Sequence, residues 1–271
     1  MGPGLPRDGR QRHSHDPLMF APDELTDDGF LGGRLRVLQP RRGYRAATDP
    51  VFLAAAVPAR PGQSVLELGC GAGVASLCLA ARVPGLRLAG LEVQPAYAEL
   101  ARVNAARNGV SLEVVEGDLA AMPPVLRRSF DHVIANPPYY PAGGGTGATD
   151  PGRERAMRED TPLGLWIEAA VRRLAPRGIL SLIFGADRLP DALSALDARM
   201  GSIAVLPLQA REGRAAKRVI LQSRKGGRAP FRLLPPFLLH EGACHEGDGE
   251  SFTPAAAHIL RNGGDFPFRL I

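Results

Sequence analysis

Ser64-Val65-Leu66-Glu67-Leu68-Gly69-Cys70-Gly71-Ala72-Gly73 reads as a short buried strand running straight into a glycine loop. Apolar residues on both faces suit a strand covered by helices on each side. Glycines at alternate positions let the backbone turn tightly and approach a ligand closely. A helix is predicted next, over Val74 to Val83. A dinucleotide site would place a third glycine at position 74 in G-x-G-x-x-G, and Val74 stands there instead. The pattern is therefore an acidic residue, Glu67, followed by G-x-G-x-G.

Downstream the same alternation repeats. Leu86 to Leu91 is a predicted strand ending at Glu92, roughly twenty residues beyond the loop, where a carboxylate can accept hydrogen bonds from ribose hydroxyls. Pro95 to Arg107 reads as a helix closed by Asn108-Gly109. A third strand, Leu112 to Glu116, leads into Gly117-Asp118-Leu119, and a fourth, Phe130 to Ala135, delivers Asn136-Pro137-Pro138-Tyr139. Two prolines cannot continue a ladder, so that strand ends there and presents an amide, carbonyls and a ring. Glu67, Glu92, Asp118 and Asn136 thus fall at or near the ends of successive strands, the edge where open α/β sheets bind ligands.

Upstream, residues 1–20 are rich in Gly, Pro, Arg and His and read as a disordered tail. Residues 25–45 read as a small hairpin, with Gly32-Gly33 in its turn and Arg41, Arg42 and Arg45 after it. Thr48-Asp49-Pro50 reads as a capped helix start, the helix stopping before Pro58. Past the fourth strand, Pro141 to Arg158 is Gly-rich, contains Arg153, Arg155 and Arg158, and reads as a mobile loop beside the site. A helix over 162–174 carries Trp166, whose default role is core packing. A fifth strand over 178–184, a helix over 187–200 and two last strands, 203–208 and 218–222, complete the pattern; 228–271 reads as irregular. Residues 21–271 form one expected domain. The hairpin tip Arg211 to Lys217 and the run Arg224-Lys225-Gly226-Gly227-Arg228 make the densest basic cluster and suit a nucleic-acid backbone, with Arg214, Lys217, Arg218 and Lys225 as the expected contacts.

The 271 residues are 45% hydrophobic, enough for a sizeable core, and no run of eighteen apolar residues occurs. The N-terminus lacks a signal-peptide layout. Cys70, Cys78 and Cys244 are too scattered for a disulfide framework, which suits a reducing cytoplasm. His13 and His15 lie in the tail, and His240, Cys244 and His245 lack a fourth ligand, so no metal is expected. The net charge is +5, and Lys217 and Lys225 are the only lysines, so the excess reflects Arg usage as much as a polyanionic partner.

The acidic residue with G-x-G-x-G resembles motif I of class I methyltransferases that bind S-adenosylmethionine. Asn-Pro-Pro-Tyr after the fourth strand resembles the amino-methyltransferases of exocyclic base nitrogens or glutamine amides. Gly33 to Pro40, Gly43-Tyr44-Arg45, Thr48-Asp49, Arg155 to Glu159 with Trp166, and the Arg218 to Leu221 strand with Lys225-Gly226 resemble the bacterial tRNA1(Val) adenine-37 N6-methyltransferase family. The resemblance spans roughly residues 25–260. It implies a Rossmann-like α/β fold with a mostly parallel seven-stranded sheet, helices on both faces and a short N-terminal hairpin. It also implies S-adenosylmethionine held by Thr48, Glu67, Gly69, Cys70, Gly71, Gly73, Glu92, Val93, Asp118, Leu119 and Asn136. Catalysis would fall to Asn136, Pro137, Pro138 and Tyr139, with tRNA as partner, contacted by the arginines and lysines above.

The chemistry of such a site is legible. An aromatic amine is a poor nucleophile because its lone pair is delocalised. The Asn136 side-chain oxygen and the Pro137 carbonyl can each accept one N–H, and Tyr139 can stack on a base, worth ~1–3 kcal/mol. His132, inside the strand, reads as a packed histidine. A protein-glutamine or rRNA guanine methyltransferase shares this logic, although glutamine enzymes usually carry an N-terminal helical domain for which this chain has no room. A cofactor-binding RNA module without turnover is the reading from another class, and intact Asn136, Pro137 and Tyr139 argue against it.

Overall fold

The computed structural model describes residues 19–138, 161–242, 251–267 and 269–271, with the backbone of 140–141 and 158–159. Tyr139, Gly143 to Gly145, Arg153, Arg155, the side chain of Arg158, Cys244, His245 and the tail up to residue 18 lie outside the described residues.

The chain opens with a hairpin of β1 (Leu25–Phe30) and β2 (Leu35–Pro40), antiparallel in the register Phe30 opposite Leu35 to Leu25 opposite Pro40. The turn passes through the left-handed region at Leu31, Gly32 and Gly33. Then come α1 (Asp49–Ala56), β3 (Ser64–Leu68), α2 (Val74–Arg82), β4 (Arg87–Glu92), α3 (Pro95–Arg107), β5 (Leu112–Glu116) and β6 (Phe130–Ala135). Two-residue strands β7 (Tyr140–Pro141) and β8 (Arg158–Glu159) pair with each other. The second half runs α4 (Leu163–Arg173), β9 (Leu174–Gly185), α5 (Leu189–Ala195), β10 (Met200–Gln209), β11 (Arg218–Lys225), β12 (Arg232–Leu233), β13 (Phe237–Leu238) and α6 (Pro254–Asn262).

The main sheet has the order β12-β10-β11-β9-β6-β3-β4-β5, with β13 also paired to β10. β3, β4, β5, β6 and β9 are parallel, and β11 is antiparallel to both neighbours. The order reverses at β3, which has β4 on one side and β6 on the other, and that reversal opens a crevice at the strands' C-terminal ends. Side chains alternate along the strands into two cores, one per face. Val65, Ile183 and Ile220 join the core containing Phe52, Leu77 and Leu79. Leu66, Leu68, Leu182 and Leu221 join the core containing Phe130, Trp166 and Ile167.

The differences from expectation are local. The sheet holds nine strands among the described residues rather than seven, because β12 and β13 add two-residue rungs beside β10. The helix expected over 187–200 is α5 alone, preceded by one 3-10 turn. It stops because Asp197 accepts from the Arg199 backbone N–H at 2.8 Å and also binds the Arg199 side chain, which favours a turn. The segment after 228 is not wholly irregular. Thr253 Oγ1 caps α6 by accepting from Ala256 N at 3.2 Å, Pro254 occupies the first turn, and Gly263 closes the helix at φ 60°. Thr48 precedes α1 without a side-chain capping bond; its carbonyl accepts from Val51 and Phe52 instead.

Two asparagines fix the hairpin to α3. Asn104 Oδ1 accepts from Leu38 N at 2.8 Å and its Nδ2 donates to Leu38 O at 3.0 Å. One turn later, Asn108 Oδ1 accepts from Arg36 N at 3.0 Å and its Nδ2 donates to Arg36 O at 2.9 Å. The i, i+4 spacing on the helix meets the i, i+2 spacing of one strand edge, so two amides stand in for a neighbouring strand.

Candidate functional site

Gly69, Gly71 and Gly73 all take left-handed backbone, at φ 63°, 53° and 86°. The loop is pinned to the next strand: Cys70 N donates to Leu91 O at 3.0 Å and Gly71 N to Glu92 Oε2 at 2.8 Å. Glu92 Oε1 accepts from Gln94 N at 2.9 Å. Burial pushes the Glu92 carboxyl up, and the backbone donors of Gln94, Gly71 and Val93 oppose that. Glu67 Oε2 accepts from Ser76 N at 3.0 Å and Ser76 Oγ at 2.5 Å. Its carboxyl is pushed up to about 7, mainly by burial, with the Ser76 donors opposing and Glu92 adding to the rise. Burial also pushes the Cys70 and Cys78 thiols up, so neither is an activated nucleophile.

These groups border a cavity of about 380 Å³, the size of a ligand pocket. Glu67, Gly69, Cys70, Gly71, Glu92, Val93, Asp118, Leu119, Asn136, Pro137 and Pro138 line it. Two expected cofactor residues do not. Gly73 turns the chain into α2, where an added Cβ would meet Ala101 and Leu112 at 3.5 Å. Thr48 is set back, and Tyr44, Ala46 and Pro50 form that part of the wall. Asp118 is exposed, with Oδ1 accepting from Ala120 N at 2.9 Å.

Three aromatic residues complete the site: Trp166, which sequence reasoning leaves to the core, and Tyr44 and Tyr97, to which it gives no role in the cavity. The Trp166 ring covers the loop so closely that a Cβ on Gly69 would lie 2.6 Å from Cη2. Trp166 Nε1 is buried without a hydrogen-bond partner. Tyr97 Oη accepts from Tyr44 N at 2.9 Å and donates to Tyr44 O at 3.1 Å. Tyr44 Oη in turn accepts from Asn136 Nδ2 at 3.3 Å. The Tyr44 hydroxyl is pushed well up, by burial first and then by Asp49 and Glu67, so it stays neutral. The signal available in sequence is Gly43-Tyr44, ahead of the helix start.

His132 lies away from this cavity. It is buried, Nε2 lies 3.0 Å from Gln63 Oε1, and burial pushes its pKa down to about 4.

The basic cluster divides. Arg218 pairs with Gly185, at the cofactor end of β9, and its Nε sits 3.2 Å from Asp49 Oδ2. Arg214 and Lys217 are exposed on the adjoining turn. Lys225 lies at the other end of the eight-residue β11, on the order of 23 Å away. Its Nζ donates to Val171 O at 2.8 Å and Leu174 O at 2.7 Å, closing the end of α4. Lys225 therefore ties the end of α4 to the sheet, and the strand between it and Arg218 keeps the two from forming one cluster. Arg45 is likewise structural, donating to Thr26, Pro40 and Asp28. The His240 ring stacks on Phe252. Among the described residues no group of three His, Cys, Asp or Glu could hold a metal ion, and no helix is long and apolar enough to cross a membrane.

The residues present fit a nucleoside sulfonium. Gly69 and Gly71 bring backbone without side chains to the cavity wall, Glu92 is placed for hydroxyl donors, and the buried carboxyls of Glu67 and Glu92 suit a cationic centre. Comparison with known proteins agrees. The model of the methyltransferase small domain matches residues 48–207. The chain is 32% identical over 222 residues to a tRNA1(Val) (adenine(37)-N6)-methyltransferase of Porphyromonas gingivalis, covering 76% of this chain and 86% of the relative. It is 35% identical over 137 residues to a 4-amino-L-phenylalanine/4-methylamino-L-phenylalanine methyltransferase of Streptomyces pristinaespiralis, covering 46% and 44%. A crystal structure described as a predicted O-methyltransferase from Agrobacterium tumefaciens superposes with a TM-score of 0.66 at 27% identity, over 82% of this chain and 100% of that one. The chain belongs to the methyltransferase small domain family and is a class I S-adenosylmethionine-dependent methyltransferase.

Proposed function

We propose that this enzyme methylates N6 of an adenine in tRNA, at position 37 beside the anticodon. The carrying observation is the Asn136 amide at the end of β6, held by Tyr44 in the cavity that the glycine loop also borders. The name of the Porphyromonas gingivalis relative supplies the substrate. The Streptomyces relative, named for an aromatic amine, supports the broader class of planar –NH2 acceptors.

Glu67, Gly69, Cys70, Gly71, Glu92, Val93, Asp118 and Leu119 hold the cofactor in this reading. When bound, S-adenosylmethionine supplies an electrophilic methyl on sulfur. Asn136 Oδ1 and the Pro137 carbonyl each accept one amine N–H, which orients the nitrogen and favours lone-pair density toward the methyl. Pro137 and Pro138 fix the backbone so that these acceptors converge. The amine becomes acidic only as the new N–C bond forms, so its proton passes to solvent without a strong base. An anticodon loop splays its bases, which lowers the cost of inserting one. Arg214, Lys217 and Arg218 meet the RNA backbone, and such a substrate puts the reaction in the cytoplasm.

The test is methyl transfer from labelled S-adenosylmethionine to bulk tRNA, followed by nucleoside analysis. N6-methyladenosine is expected. Label in protein and none in tRNA would move the reading to a glutamine methyltransferase.

A further inference from the structure

A second cavity, of about 500 Å³, opens at the opposite end of the sheet from the glycine loop. It lies where α1 ends, where β6 begins and where β11 finishes. Arg60, Arg82, Arg177, Arg224 and Arg269 all line it, against Asp131, Asp265 and the chain end at Ile271. Asp131 is already engaged, accepting from Ser64 N and Ser64 Oγ at 2.8 Å each. Arg82 donates from one terminal nitrogen to the Ala54 and Val57 carbonyls, which fixes its guanidinium in the wall. Among the described residues none of the five arginines forms an ion pair. The five guanidiniums outnumber the carboxylates of the concavity, which leaves it a net positive charge that a bound anion would offset.

Two further observations point the same way. Arg177 has φ 65°, a left-handed conformation that is strained for a non-glycine residue, although Gly178 follows it directly. Such strain persists where the surroundings or a ligand require it. Buried polar atoms in the wall also lack partners, namely His132 Nδ1 and Arg82 Nε. Gln63 Oε1 accepts from Arg60 N at 2.8 Å and lies 3.0 Å from His132 Nε2, so Nε2 carries the ring proton and Nδ1 is left as a bare acceptor.

We propose that this cavity binds a phosphate group, presented by a small phosphorylated molecule of about nucleotide size. Guanidinium forks match phosphate oxygens two at a time, and the volume lies within the range of small-ligand sites. The proposal is independent of which amine the enzyme methylates.

The test is calorimetric titration of the full chain with inorganic pyrophosphate, with ATP and with tRNA. Two variants are compared, Arg177→Gly and Arg269→Gln. Glycine is unstrained at φ 65°, so Arg177→Gly removes the guanidinium while keeping the fold, which an unchanged or raised Tm would verify. Saturable binding of pyrophosphate or ATP is expected, weakened about tenfold in each variant, with S-adenosylmethionine affinity unchanged. If both small anions are silent but both variants weaken tRNA binding and flatten its salt dependence, the small-molecule proposal is overturned and the phosphate is that of the RNA backbone. No saturable binding of any of the three that depends on Arg177 and Arg269 would overturn the phosphate site altogether.

Discussion

Asn136 Nδ2 donates to the Tyr44 hydroxyl at 3.3 Å, tying the amide at the end of β6 to the segment that links the hairpin to α1. An amide that must present its oxygen to a substrate amine needs its plane fixed, and one neutral hydrogen bond contributes about 0.5–1.5 kcal/mol to that. Tyr44→Phe keeps the ring and loses the bond. The expected result is a kcat lower by roughly two- to tenfold, with cofactor affinity nearly unchanged. Asn136→Ala should abolish turnover and also spare cofactor binding. Retained turnover in Asn136→Ala would sink the amide mechanism.

Gly69 and Trp166 are in contact across the cofactor loop. Gly69→Ala would put a methyl 2.6 Å from the indole and a Cβ at φ 63°. Strain and clash together should cost on the order of 2–4 kcal/mol, seen as a lower Tm and weaker cofactor binding. Trp166 is the only tryptophan, so its fluorescence reports the site directly. Titrating wild type with cofactor should change that emission; an unresponsive indole would mean that the cofactor binds away from the loop.

What the sequence reveals and what it hides divide along physical lines. Glu67, the glycine loop, Glu92 and the proline-terminated β6 are local signals, because a left-handed glycine or a ladder-breaking proline acts on its own neighbours. Tyr44, Tyr97 and Trp166 reach the cavity from three separated elements, and nothing in an isolated aromatic says whether it faces core or ligand. Lys225 and Arg218 look like one cluster because both sit on one basic stretch, yet an extended strand carries its ends to opposite edges of the sheet. The helix α6 is hard to see although Thr253-Pro254 and Gly263 mark its ends, because only Ala256 and Ile259 are buried and the apolar stripe is thin.

The Asn104 and Asn108 clamp makes a prediction about stability. Asn104 is fully buried, and its Nδ2 also donates to Ala72 O in the glycine loop at 3.1 Å. Asn104→Ala would leave Leu38 N–H, Leu38 C=O and Ala72 C=O without these partners, at a cost of about 2–4 kcal/mol. Asn108→Ala, nearer solvent, should cost about 1 kcal/mol. Denaturant unfolding gives both numbers. Cofactor affinity should fall with Asn104→Ala alone, since only that side chain touches the loop; equal losses in both variants would refute this coupling.

The divided basic cluster predicts salt dependence. Replacing Arg214 and Lys217 by Ser should weaken tRNA binding and reduce the slope of log K against log salt by roughly 0.7–0.9 for each phosphate that is no longer neutralised. An unchanged slope would send the RNA backbone elsewhere, to Arg153, Arg155 and Arg158.

Glu67 predicts a pH dependence whose sign follows from its burial. Its folded pKa, about 7, stands above the ordinary value of 4.5, so the native state binds more protons than the unfolded chain between those pH values. Stability of the cofactor-free protein should therefore fall as pH rises from 4.5 to 7, by on the order of 3 kcal/mol, and then level off. A cationic cofactor beside Glu67 favours the ionised carboxylate, so binding releases a proton below pH 7 and the apparent Kd tightens as pH approaches that value. Calorimetry in buffers of different ionisation enthalpy measures the released proton. Glu67→Gln should erase both the stability slope and the proton release; proton release that persists in the variant would assign the titration to Glu92, the other buried carboxyl of the cavity.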